Sequence, residues 1–181
     1  KIEIWSVHQA DGALKAALDC YGKQGDNATL LSRMAEQESE VLILHEVGEA
    51  MAEPMLGTSW REMILSFSSR RAIFMARSVR DNLADCLSTL PELIKREQTC
   101  SIHFYFANLE GLRRTLFPQL VSAYEQWRDS GDASKLLAAV DAGRTHWQAT
   151  AMQLLGTWQN DAQGAQAVID RWVDQHGAFA L

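Results

Sequence analysis

The chain holds no apolar run near the roughly 18 residues that a membrane span requires, and it opens without the pattern of a secretory signal. Cysteine is scarce: Cys20, Cys86 and Cys100 are an odd number with no CxxC spacing. That argues against a disulfide framework and a zinc knuckle, and it points to a reducing, cytoplasmic setting. Proline is equally scarce, with three in 181 residues, so little interrupts helix formation. The phosphate loop GxxxxGK(S/T), the dinucleotide-binding glycine pattern, the GxSxG elbow and the EF-hand loop are all missing. Net positive charge is missing too. Lys and Arg total 17 against 23 Asp and Glu, giving −6, which argues against bulk electrostatic binding of nucleic acid but leaves room for a local basic patch. The first residue is Lys1 rather than methionine, which suggests a piece of a longer protein.

What remains favours helix. Ala, Leu, Gln, Glu and Arg are plentiful, and no paired strand signals follow residue 7. The pattern predicts an all-α protein, an antiparallel helical bundle of about six helices in one domain over 1–181. Residues 1–10 read as a linker or a short extended segment. A first helix runs from Gly12 to Tyr21. A second starts at Asp26 or Asn27 as cap and runs to about Glu53, where Pro54 and Gly57 end it. A third is capped by Thr58 or Ser59, with Glu62 in capping-box position, and reaches about Thr89. Its apolar stripe is Trp60, Ile64, Phe67, Phe74 and Met75. A fourth covers Thr99 to Phe117 and restarts at Pro118. The turn Ser130-Gly131-Asp132 leads to a fifth helix ending near Leu155, and a sixth runs from Asp161 to Asp174. The six tryptophans are expected mostly in the core, with some free to anchor a partner.

The segment Leu42-Ile43-Leu44-His45-Glu46-Val47-Gly48-Glu49 sets a histidine and two carboxylates in an apolar run. Buried ionisable groups are costly unless paired or bound to metal. At 100° per residue, Glu38, His45 and Glu49 share one helix face within about 40°, while Glu46 points elsewhere. His45 and Glu49 are thus an i, i+4 pair able to converge on one divalent metal. The string lacks the second histidine of the zinc-peptidase HExxH, so that reading fails. A second constellation joins Asp81 and Asp85, one turn apart, with His103 and Glu110 on the fourth helix. Like charges at this spacing repel without a cation between them.

A hairpin turning at Glu53 to Gly57 would set Asp81 about 22 Å from His45. Two separate polar layers follow from that register, with Asp85 facing His103 and Arg80 facing Glu110. It also sets Arg71 against Glu38, in line with an acidic second helix followed by a segment with five arginines over 61–80. Glu38, Arg71, Asp81, Arg80 and Glu110 are therefore candidate ligand-binding residues, and His45, Glu49, Asp85 and His103 candidate metal ligands. Two functions fit. One is an interaction or regulatory module that binds a protein partner or forms a homo-oligomer. The alternative is a helical protein that binds a metal or small ligand, with the reaction, if any, left open.

Overall fold

The computed structural model describes residues 12–22, 27–174 and 181, and their regular structure is helical throughout. The expectations for residues 1–10 and for a cap at Asp26 or Asn27 lie outside the described residues or side chains. None of the described helices is long and apolar enough to cross a membrane. The order is α1 (Ala13–Tyr21), α2 (Asn27–Ser66), α3 (Arg70–Ala84), a π-helical turn (Asp85–Thr89), α4 (Leu90–Lys95), α5 (Thr99–Asn108), α6 (Gly111–Leu116), α7 (Pro118–Ser130), α8 (Ser134–Asn160) and α9 (Ala165–Asp174).

The all-α class holds, but the main hairpin turns later than the sequence suggests. Helix α2 passes through Pro54 but is interrupted at Gly57, whose φ of 58° and ψ of −164° are not helical and are open to glycine, and a second helical stretch runs from there to Ser66. The reversal falls at Phe67-Ser68-Ser69. Ser69 caps α3 by accepting from the Ala72 N–H, as a serine N-cap does. Helix α9 pins the same turn from outside: Gln166 Oε1 accepts from the backbone N–H groups of Ser68 and Ser69, and Ser69 donates to Asp170. Gly57 breaks the helical run where the sequence predicts its end, and the expected third helix is itself divided at Phe67-Ser68-Ser69, into the stretch that follows Gly57 and α3.

Two features bring the antiparallel α2 and α3 into place. At Gly48 the helices touch backbone to backbone: a Cβ there would lie 2.2 Å from the Ala84 carbonyl oxygen. Just beyond Ala84, the helix widens into the π turn, where the Leu90 N–H reaches back to the Asp85 carbonyl. Pro91 accounts for the widening. It has no N–H, and its ring would press on the Leu87 carbonyl in a regular helix. Wide turns of this kind recur at functional sites.

The core runs through both sides of α3 and is filled by Trp60, Met63, Met75, Phe106, Phe117 and Trp147, all buried. Trp127, Trp158 and Trp172 are partly buried against it. In the expected stripe Met75 is buried, but Phe74 is 56% exposed. The fourth predicted helix is broken at Leu109-Glu110 into α5 and α6, whereas the Pro118 restart and the left-handed Gly131 stop occur as expected. Helix α8 runs past Gly156.

One expectation is overturned by covalent structure. Cys20 and Cys100 form a disulfide that fastens α1 to α5, leaving Cys86 free and buried. An odd cysteine count excludes full pairing but not one bridge between residues 80 apart. Disulfides persist in oxidising surroundings, so cysteine spacing no longer supports a reducing compartment.

A candidate metal centre on the α2–α3 hairpin

Residues one turn apart on α2 face residues one turn apart on α3, in antiparallel order. The later turn places His45 opposite Asp85 and Glu49 opposite Arg80 and Asp81. The expected 22 Å separation between two polar layers is therefore wrong. Its cause is the displacement of the hairpin turn from Glu53–Gly57 to Phe67–Ser69, about 13 residues along the chain. One cluster holds His45, Glu49, Asp81 and Asp85 together.

Asp85 is the hub of this cluster. It starts the π turn, and its side chain is 2% exposed. Oδ1 bonds His45 Nδ1 at 2.8 Å and accepts from Thr89 Oγ1 at 3.1 Å. Oδ2 accepts from Tyr105 OH at 2.8 Å and from the Arg113 guanidinium. Burial alone would push the Asp85 carboxyl up, but the His45 hydrogen bond and the Arg113 charge hold it below the usual carboxylate range. The same bond raises the His45 imidazole above its ordinary value, against the effect of burial. Burial, reinforced by the Asp85 charge, pushes the Tyr105 phenol well up. A buried charge with four partners is satisfied; removing one partner would leave it costly.

A proton on His45 Nδ1, shared with Asp85, turns Nε2 the other way. Nε2 lies 3.5 Å from Glu49 Oε1. One ligand atom each from His45, Glu49 and Asp81 all lie within 4.8 Å of one another, so this group could hold a metal ion. A carboxylate that orients a ligating histidine through its far nitrogen is a recurrent support of metal sites. Arg80 spans the same carboxylates, with Nη2 2.7 Å from Glu49 and 3.1 Å from Asp81.

Several predicted pairings are not made. His103 bonds Tyr124 OH through Nδ1 at 2.9 Å and packs against Trp127; Asp85 turns to His45 instead, because α5 presents Tyr105 rather than His103 to the hub. Arg80 pairs with Glu49 and Asp81, while Glu110 stands exposed ahead of α6. Arg71 is exposed on the surface and pairs with Asp174, since the shifted register carries it away from Glu38. Glu38 instead accepts from Tyr21 of α1, and burial raises its carboxyl. Tyr105 and Thr89 escaped sequence reasoning for lack of charge. Arg113 sits on the short helix α6, 28 residues from Asp85, and no local spacing pointed to that pair.

Two openings adjoin the cluster, and His45 lines one of them. On one side a cavity of about 590 Å³ is lined by Glu38, Leu42, His45, Asp85, Tyr105 and Arg113 among others. On the other a groove of about 470 Å³ is lined by Glu49, Arg77 and Arg80. His45 and Glu49 thus do not share one chamber.

Fold and cluster together define an all-α bundle with a histidine–carboxylate centre set into its longest hairpin. Over residues 1–176 the chain matches the family of unknown function DUF6866, C-terminal domain, and it belongs to that family. No curated protein and no solved structure matches it.

Proposed function

We propose that this protein binds a divalent metal ion between His45 Nε2, Glu49 and Asp81, with Asp85 holding the imidazole in place. The convergence of three ligand atoms within 4.8 Å carries this reading. One imidazole and two carboxylates suit borderline ions such as zinc or manganese. The ion would take the place of the Arg80 guanidinium, which would turn out into the groove it lines.

Titration calorimetry with zinc and manganese on chelator-stripped protein tests the proposal. The expected result is one site per chain and a raised melting temperature, since a ligand that binds only the folded state stabilises it. His45→Ala and Asp81→Asn should abolish binding. Asp85→Asn, if folded by circular dichroism, should weaken it about 10- to 100-fold. Arg80→Gln should tighten it, because a competing cation is removed. Binding that survives His45→Ala, or none to the native protein, would make the cluster a structural ion-pair network.

A second reading, an interaction module for a protein partner or a second copy, is favoured by one surface. Ile43, Val47 and Met51 follow each other one turn apart on α2 and are 62%, 44% and 51% exposed. Light scattering after gel filtration should then show a dimer or larger species that Val47→Lys returns to monomer. A monomer at every concentration would remove self-association.

A further inference from the structure

The cavity on the other side of His45 has its own polar design, independent of any metal. Its apolar lining comes from Ala35, Val41 and Leu42 of α2 and from Phe104 and Leu109 of α5 and the following turn. Apolar walls with a few placed polar groups are what small-molecule sites have. Polar groups sit at two levels. Asp85 and Arg113 lie with His45, whereas Glu38 lies seven residues earlier on α2, about 10 Å along the helix.

The hydrogen-bond inventory at each level determines what a ligand would meet. A carboxylate offers about four lone-pair sites, and Asp85 has four donors on it: His45, Thr89, Tyr105 and Arg113. It has no capacity left to accept from a ligand, and the Thr89 and Tyr105 hydroxyl protons are already committed to it. Arg113 is different. Its Nε is buried and has no protein acceptor, so the group with a spare donor at this level is a guanidinium, which suits a carboxylate oxygen. At the other level Glu38 accepts from Tyr21 through Oε1 and is approached by the Ser101 hydroxyl, while Oε2 is buried and makes no hydrogen bond. That oxygen calls for a donor.

We infer that the cavity binds a small organic acid with a hydrocarbon body, its carboxylate on Arg113 and a hydroxyl or amine at its far end on Glu38. The apolar stretch between the two levels takes the hydrocarbon. This inference does not rest on the metal reading, and its experiment is run with chelator present.

Calorimetry with octanoate, octylamine and ω-hydroxyoctanoate is the test. Octanoate should bind saturably and lose affinity on Arg113→Lys, whereas octylamine, whose ammonium can meet only Glu38, should be insensitive to Arg113→Lys and weakened by Glu38→Gln. The ω-hydroxy acid should bind tightest, and Glu38→Gln should change its affinity more than that of octanoate. Arg113→Lys keeps a cation beside Asp85 but loses the Nε donor, and should weaken octanoate about ten-fold, the scale of one hydrogen bond to a charged group. Ala35→Trp fills the exposed mouth of the cavity away from the polar cluster; it should abolish binding while leaving the fold intact. Octylamine weakened by Arg113→Lys as much as octanoate, no saturable octanoate binding, or undiminished binding in Ala35→Trp would each overturn the assignment. Because octanoate is titrated in chelator and zinc in its absence, failure of the metal site leaves the octanoate result standing, and the two outcomes are read separately.

Discussion

His45 and His103 lie on neighbouring parts of the same bundle and are shifted in opposite directions. His45 gains Asp85 as partner on folding, and that bond lifts it above the value of about 6.5 expected in the unfolded chain. Its stabilisation is therefore complete below about pH 6.5 and lost as pH rises through the raised folded value. His103 is held below that value, first by burial and then by the Arg128 charge. Its contribution is present above about pH 6.5 and lost as pH falls towards the depressed folded value, because the unfolded chain takes up the proton first. In chelator, urea unfolding between pH 5 and 8 should show these two histidines favouring the middle of the range. His45→Gln should flatten the alkaline side and His103→Gln the acid side. An alkaline slope unchanged in His45→Gln would mean that the Asp85 bond does not hold in solution.

At the scale of elements, the close pass of α2 over α3 matters most. Gly48 lets the two backbones meet, and the π turn directly after Ala84 carries Asp85 to His45. Gly48→Ala would push a methyl group against the Ala84 backbone rather than a yielding side chain. A loss of about 1–3 kcal/mol is expected from overpacking, read from urea midpoints, with weaker metal binding since His45 and Asp85 part. A neutral Gly48→Ala would show that the helices can separate freely. The sequence made the helical faces readable: His45 with Glu49 and Asp81 with Asp85 follow from the 3.6-residue period alone. Their meeting was not readable, because it depends on where α2 reverses. Pro54 and Gly57 are the stronger punctuation, yet the reversal lies at Phe67-Ser68-Ser69, just after Ser66. That serine cluster is itself a turn signal, but α9, about 100 residues later, is what secures it.

For the whole molecule, the Cys20–Cys100 bond joins the start of the bundle to α5 across 80 residues. Closing a loop of that length removes chain entropy from the unfolded state, worth about 4 kcal/mol by loop closure and usually somewhat less in practice. Reduction, or Cys20→Ser, should lower the unfolding free energy by about 2–4 kcal/mol. No change on adding dithiothreitol would mean that the bond does not form. Cys86, buried and with its thiol pushed up by burial, should label with iodoacetamide only after unfolding. This bond was hidden in the sequence because a lone bridge leaves no spacing motif; only the packing of α1 on α5 brings the two sulfurs together. The helical class, by contrast, was open to reading, since it rests on local composition and period.

The position of one imidazole has a use in spectroscopy. The ring of His45 forms part of the wall of the large cavity, while its Nε2 faces the carboxylates beside the groove. Nδ1 is held by the buried Asp85 while Nε2 faces Glu49, so the two nitrogens sit in different surroundings and can be told apart by nitrogen chemical shift. With five histidines in the chain, its resonances can be assigned by a single substitution. The protein thus carries a native reporter: Nε2 would register an ion, the ring carbons a molecule in the cavity, and one titration would distinguish them.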